Sequence, residues 1–262
     1  MFNLLQIEWL KVKKYNTFWV ISVLFLILIA LTNYFIISGI MNAGAKGVSV
    51  LGADYSFSSV WNKVSYITKV FSGLLSVIII ILTTNEFQFR THRQNIIDGW
   101  KREQFFHAKW GIVIVLSFIV TLYALLQGVF FGLTGGSSFA DICNNFINVL
   151  YVFILELNYF GLALTLSLFL KRSGMVIIIF LLYAYIVELL LNQFLSVKLH
   201  LTLGYYLPMD SSANLLPVSK VEPMSSMVIN SAYSTQVLMF VSICWIAAYY
   251  VIGRIKMLKS DL

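Results

Sequence analysis

The chain has 262 residues, of which 60% are hydrophobic and only 11% are charged, and its mean hydropathy is +0.86. Soluble domains carry about a quarter charged residues, so this composition excludes an ordinary soluble protein and indicates a membrane protein. The net charge of +7 does not indicate a nucleic-acid-binding protein, because the basic residues stand in short stretches between apolar runs rather than on one face.

The first 17 residues are predicted to form an amphipathic helix in the plane of the membrane interface. Phe2, Leu5, Trp9 and Val12 recur at helical spacing, whereas the polar and basic residues fall elsewhere on the helix. The alternative is that this stretch only extends the first membrane span.

Six apolar runs follow, and each approaches the length of about 20 residues that a helix needs to cross a bilayer. The second run is the shortest, and we expect Lys69 to extend its ammonium group toward the outer end of that span. The predicted class is therefore an all-α integral membrane protein whose residues 1–262 form one transmembrane domain. The six predicted spans are about 18–40, 67–84, 110–133, 146–170, 175–195 and 236–254.

The distribution of charge along the chain predicts its orientation. Thirteen of the 18 lysines and arginines lie in four stretches that would share one side of the membrane, namely 1–17, 85–109, 171–174 and 254–262. By the positive-inside rule this side is the cytoplasm, which places both termini there and the chain in the cytoplasmic (inner) membrane. The largest predicted outer segment, 196–235, contains all three prolines and a semi-apolar stretch, LTLGYYLP, that could dip back toward the bilayer.

The longest predicted cytoplasmic connection is residues 85–109, NEFQFRTHRQNIIDGWKREQFFHAK. Asp98 and Gly99 are typical of a turn, so two short helical pieces are expected on either side of them. Charges outside and aromatic residues inside suit such an elbow to dock a cytoplasmic partner. The alternative, a solvated loop that only carries positive-inside charge, accounts for the arginines but not for the aromatic residues.

This connection resembles the loop between the second and third spans of type-2 ABC exporter permeases. That loop runs as an acidic residue, a Gly/Arg-Thr pair, a short aliphatic run, a turn, and an arginine and an aromatic residue before a lysine. The matching residues are Glu86, Arg90, Thr91, Asn95, Ile96, Ile97, Asp98, Gly99, Arg102, Phe105 and Lys109. The opening IEWLKVKKYNTFW is similar to that of the same family through Glu8, Lys11 and Lys14. The turn at Asp98 and Gly99 departs from the Pro-Ser type of many members.

The resemblance implies a permease that pairs with a second, identical or homologous permease and with two separate ABC ATPase subunits. The chain has no GxxxxGK[ST] motif, so ATP and Mg would be held by the ATPase, with no cofactor and no enzyme activity in this chain. The stretch KRSG at 171–174 would be a second contact with the ATPase. The residues implied to couple the permease to the ATPase are Arg90, Arg93, Asp98, Gly99, Arg102, Phe105 and Lys109.

Two carboxylates fall inside predicted spans, Glu156 in the fourth and Glu188 in the fifth. A charge in the membrane is costly, so an intramembrane carboxylate is by default a functional hypothesis. Together with Asn158, they are predicted to lie on the translocation pathway or the dimer seam. The alternative is that each is protonated or bonded to a neighbouring helix, with Asn158 or Gln127 as partner of Glu156, while Glu188 extends outward.

The predicted function is a transport subunit for a hydrophobic or amphipathic cargo, such as a lipid, a drug or an antimicrobial peptide, with export as the direction. Small outer connections and an aromatic-rich interior suit such a cargo. A six-span secondary transporter or a membrane assembly scaffold is the alternative. An intramembrane enzyme is disfavoured, because none of the three histidines lies in a predicted span and no catalytic pair or metal-ligand spacing is present.

Overall fold

The structure is a computed structural model that describes residues 2–13, 15–37, 56–89, 91, 100–198, 202–216 and 234–259. Within these residues the regular structure is helical, without a β-strand. The π-helical turn Tyr183–Val187 joins α6 (Ser173–Leu182) to α7 (Glu188–Lys198) in one continuous helix. The α-helices are α1 Phe2–Lys13, α2 Asn16–Ile37, α3 Phe57–Gln88, α4 Arg102–Thr134, α5 Ile147–Leu170, α6 Ser173–Leu182, α7 Glu188–Lys198, α8 Pro208–Ala213 and α9 Thr235–Lys259.

Among the described residues, six helices are long and apolar enough to cross a membrane, which confirms the six predicted spans. Two of them extend furthest beyond the predicted spans: α3 has 32 residues and α4 has 33. The early start of α3 has a local cause, since Ser56 accepts a hydrogen bond from the Ser59 N–H and Phe57 and Trp61 are buried against α4. Polar residues at the ends of α3 and α4, which the sequence assigned to the connections between spans, therefore belong to these helices.

Helix α5 forms the centre of the bundle and packs against α3, α4 and α9. Its neighbour α3 is similarly buried, whereas α2, the α6–α7 helix and α9 expose rows of leucine, isoleucine and phenylalanine, as lipid-facing helices do. Gly128 and Gly132, one turn apart on α4, lie against the rings of Trp61 and Phe57. A Cβ atom at either glycine would collide with these rings, so the two glycines allow α3 and α4 to approach closely.

The spans alternate in direction, so their ends form two groups. At one end of the bundle α2 and α4 begin and α3, α5 and α9 terminate, and we call this the basic end. We call the other the opposite end. At the basic end, the Lys171 ammonium lies 5.4 Å from the centre of the Phe87 ring, and that of Lys256 lies 5.0 Å from the Phe169 ring. The basic residues of distant segments thus meet at one end of the bundle.

At the opposite end, residues 202–216 turn back into the bundle. A 3-10 turn, Thr202–Tyr206, leads into α8, where Met209, Ser211 and Ser212 are buried between α5, α7 and α9. We call residues 202–216 the hairpin. It includes most of the LTLGYYLP stretch, which by sequence could dip back toward the bilayer.

Candidate functional site

Four charged side chains form an ionic cluster at the basic end, in which Glu8, Glu86 and Lys109 are buried and Lys11 is partly exposed. Lys109 of α4 contacts Glu8 of α1 and lies 2.8 Å from Glu86 Oε1 of α3. Lys11 lies 2.7 Å from Glu8 Oε1 and 3.1 Å from Glu86 Oε1. Two carboxylates and two ammonium groups balance in charge, and they join three helices that are distant in sequence. We call these four residues the ionic cluster.

The environment of Glu8 favours its ionised form. Burial raises the pKa of the Glu8 carboxyl, but the Lys109 and Lys11 ammonium groups outweigh burial and hold that pKa below its ordinary value of 4.5. Beside the cluster lies a cavity of about 360 Å³, whose lining includes Asn85, Phe89 and Thr91. The cluster therefore lies directly against the residues that lead into the 90–99 connection.

The first turns of α4 are also tied to α9. The Arg102 guanidinium donates a hydrogen bond to the Leu258 carbonyl at 3.0 Å, and Glu103 forms an ion pair with Arg254 at 2.6 Å. Phe105, fully buried, packs edge-on against the Phe87 ring of α3 with centroids 6.4 Å apart. The start of α4 thus contacts α1, α3 and α9 at once.

The predicted coupling residues fall into three groups. Arg90, Arg93, Asp98 and Gly99 lie outside the described residues. Arg102 is partly exposed and bonded to α9. Phe105 and Lys109 are buried inside the protomer, at 0% and 3% exposure, and their coupling role stays a prediction.

A second polar cluster lies at the opposite end and holds the hairpin. Asn158 donates from Nδ2 to the Pro208 carbonyl at 2.9 Å, and the Met209 N–H donates to Glu188 Oε1 at 2.8 Å. Glu156, which is 0% exposed, accepts a hydrogen bond from Ser72 Oγ of α3 at 2.5 Å. One oxygen of each of these three side chains, Glu156 Oε2, Asn158 Oδ1 and Glu188 Oε2, has no hydrogen-bond partner within the described residues.

Further contacts secure both ends of α8. The Lys69 ammonium donates to the carbonyls of Ala213 at 2.7 Å and Leu216 at 3.4 Å. Asp210 accepts a hydrogen bond from Asn192 Nδ2 at 2.7 Å. Burial raises the pKa of the Asp210 carboxyl, against the opposing effects of this hydrogen bond and of Lys69.

These contacts correct several expectations. Glu188 does not extend outward but is 1% exposed and bonded to the hairpin backbone. Lys69 likewise turns to the hairpin, because the end of α8 offers it carbonyl acceptors. Neither suggested partner reaches Glu156: Asn158 binds Pro208, and Gln127 accepts from Asn33 Nδ2 at 2.5 Å and donates to Tyr123 at 2.6 Å.

Sequence reasoning matched Glu8 and Glu86 to a family pattern but did not place them in a site. For Glu8 a signal was present, because it is the acidic residue in an otherwise basic N-terminal helix. If such a charge is buried, it needs a counter-charge nearby. Asp210 and Asn192 carried no comparable signal, because both stand in stretches that read as an outer segment or its border.

The fold and these sites define a polytopic α-helical membrane protein with an ionic cluster at one end and a polar, hairpin-binding cluster at the other. A family described as ABC-2 family transporter protein matches residues 4–188, which is more than two thirds of the 262 residues. The chain belongs to this family of ABC transporter permeases, the membrane subunits that work with ABC ATPase subunits. The match includes the ionic cluster and ends at Glu188, before the hairpin and α9. No curated protein matches the chain.

Proposed function

We propose that this chain is the permease subunit of an ABC exporter in the cytoplasmic membrane, with its basic end and both termini in the cytoplasm. Two permease copies, identical or homologous, would pair with two ATPase subunits, which bind ATP and Mg. The 90–99 connection would dock on the ATPase. The observation that carries this proposal is the ionic cluster, which fixes both flanks of that connection to α1.

In this mechanism the connection receives a displacement when the ATPase pair closes, and the helices at the basic end transmit it. Separating a buried ion pair costs about 3–5 kcal/mol, so α1, α3 and α4 move as one body rather than sliding past each other. Arg102 and Glu103 extend that body to α9. Rocking of such a rigid body converts a small motion at one end into opening at the other.

The cargo class proposed is hydrophobic or amphipathic: a lipid, a drug or an antimicrobial peptide. Aromatic residues make up 16% of the chain, and the exposed faces of the long helices are apolar. Glu156, Asn158 and Glu188 are buried within one protomer, so a role on the pathway would require that the hairpin move away from them.

Partner binding is tested by purifying the chain from its native host in mild detergent and identifying what copurifies by mass spectrometry. We expect an ABC ATPase subunit with the wild-type chain and its loss from Arg93→Glu. The matched control is Lys259→Glu, which reverses an exposed charge at the same end of the bundle and should keep the ATPase. Absence of an ATPase even after cross-linking would refute the proposal and favour a secondary transporter or scaffold.

Orientation is tested with a native cysteine. Cys143 is exposed in the 3-10 turn Phe139–Cys143 at the opposite end, whereas Cys244 lies within span α9. A membrane-impermeant maleimide added to intact cells should label the wild type and not Cys143→Ser. Labelling of Cys143 only after the membrane is permeabilised would invert the proposed topology.

A further inference from the structure

A second cavity, distinct from the two polar clusters, lies between α2, α3 and α4 near the basic end. Its volume is about 230 Å³, and its back wall is formed by buried side chains of four helices. They include Phe25, Leu75, Ile78 and Phe160. We call this space the α2–α4 cavity.

The lining does not suit water. A buried water needs two to four polar partners, and the cavity wall offers few. The Tyr123 hydroxyl, one of its polar groups, already donates to the Leu26 carbonyl and accepts from Gln127, both at 2.6 Å. An apolar occupant, in contrast, would regain the dispersion contacts that an empty cavity forfeits.

The mouth of the cavity faces the bilayer. Leu26 of α2 and Ile119 of α4 line it and are exposed on the lipid-facing surface, as are Trp9 and Trp19, at 40% and 46%. Lipid chains therefore have a direct path into the cavity. Tryptophans are typical of the headgroup level of a membrane, so the mouth reaches one interface.

The headgroup end carries positive charge. The Trp19 indole N–H donates to the backbone carbonyl of Lys13 at 3.0 Å, which holds the backbone of this exposed lysine next to Trp19 at the mouth. Backbone hydrogen bonds from Tyr15 to Val12 and from Phe18 to Tyr15 form the bend between α1 and α2 that brings Trp9 and Trp19 to the same cavity. Lysines at a membrane surface attract anionic phospholipids.

We propose that the α2–α4 cavity binds one acyl chain of a resident anionic phospholipid, whose phosphate lies beside Lys13. This lipid is bound within a single protomer and is separate from any transported cargo. The inference does not depend on the ATPase or on the transport direction.

The test uses the purified full chain in detergent, titrated with phosphatidylglycerol or phosphatidylcholine that carries brominated acyl chains, with quenching of tryptophan fluorescence as the readout. We expect saturable quenching by phosphatidylglycerol at about one lipid per chain, and weaker binding of phosphatidylcholine. Val120→Phe, which fills the cavity, should abolish the saturable phase. Val115→Phe, on the exposed face of the same helix and outside the cavity, should keep it.

A second pair of variants tests the headgroup. Lys13→Gln should weaken phosphatidylglycerol binding about fivefold, and Lys259→Gln, which changes an exposed lysine near the other terminus, should leave it unchanged.

If Val120→Phe does not elute as a folded species, Ile119→Phe narrows the mouth from the lipid side instead. Native mass spectrometry should find one retained phosphatidylglycerol in the wild type. Non-saturable quenching, equal quenching in Val120→Phe and Val115→Phe, equal affinity for both lipids, or a retained compound other than a phospholipid would overturn the proposal.

Discussion

At the basic end of the bundle, carboxylates and ammonium groups pair with one another, whereas at the opposite end buried carboxyls accept hydrogen bonds from a serine hydroxyl and a backbone N–H. Glu8 pairs with two ammonium groups, whereas Glu156 and Glu188 accept hydrogen bonds from neutral donors. The two ends bury similar residue types by different physical means.

This difference predicts which end of the bundle rearranges in a conformational change. Breaking a buried ion pair costs about 3–5 kcal/mol, whereas a hydrogen bond between neutral groups contributes about 0.5–1.5 kcal/mol net. The contacts that hold the hairpin can therefore be exchanged one at a time, while the ionic cluster has to be broken as a unit. We expect the basic end to transmit motion and the opposite end to rearrange.

The largest effect is expected from Lys109→Met. This change removes the central ammonium group and leaves Glu8 and Glu86 in a buried site with only the partly exposed Lys11 as a counter-charge, so stability should fall by about 3–5 kcal/mol. Thermal unfolding of the detergent-solubilised chain measures the effect, and Lys259→Met is the control at an exposed lysine of the same end. An unfolding midpoint equal to that of the control would show that the cluster does not stabilise the fold.

Glu8→Gln should lower stability by about 1.5–3 kcal/mol at neutral pH, because the interaction lost involves charged groups. The folded-state pKa of Glu8 lies below 4.5, so its charge stabilises the fold above about pH 4.5 and this contribution is lost as pH falls through the folded-state pKa. The difference between wild type and variant should thus be constant above pH 4.5 and shrink below it.

Thermal unfolding across a pH series measures this difference. Glu103→Gln serves as the control, since it removes an exposed carboxylate that pairs with Arg254, and exposed pairs contribute little. A wild-type-to-variant difference that stays constant down to low pH would mean that the pKa of Glu8 is not lowered in the fold.

At the opposite end, Asn158→Leu should cost about 1 kcal/mol. The substitution removes the hydrogen bond to the Pro208 carbonyl, but Ser211 Oγ also donates to that carbonyl at 3.1 Å, so the acceptor keeps a partner. The loosened hairpin should also make a cysteine introduced at Met209, which is 1% exposed, react faster with a small maleimide. Asn144→Leu, at an exposed asparagine, is the control, and an equal labelling rate in both variants would argue against a hairpin held by Asn158.

The number of spans and the clustering of basic residues could be predicted from the sequence, because both follow from local composition along the chain. The ionic cluster could not be predicted from local composition, because Glu86 and Lys109 flank the 90–99 connection but Glu8 comes from a helix about 80 residues earlier. The resemblance marked all three residues without showing that they touch. Pairing between distant segments depends on packing, which periodicity does not encode.

The hairpin is a second example of contacts between distant segments that the sequence does not predict. Lys69 and Glu188 each read as a side chain able to reach the membrane surface, since lysine and glutamate near a span end commonly do so. Both turn inward because α8 brings a backbone N–H and two carbonyls to them. These partners belong to a segment whose composition predicts an outer connection, so nothing in the flanking spans indicates that they are there.

The smallest effect is expected from Glu188→Gln, which should change stability by less than about 0.5 kcal/mol. Glutamine keeps a carbonyl oxygen that can accept the Met209 N–H, and it removes only the capacity for charge. Glu188→Leu is the matched variant that removes the acceptor as well, and it should be clearly less stable in thermal unfolding. If Glu188→Gln instead destabilises as much as Glu8→Gln, Glu188 carries a charge in the fold. The contrast between the paired charges of Glu8 and the neutral hydrogen bonding of Glu188 would then fail, and a role for Glu188 in binding a cation or proton would take its place.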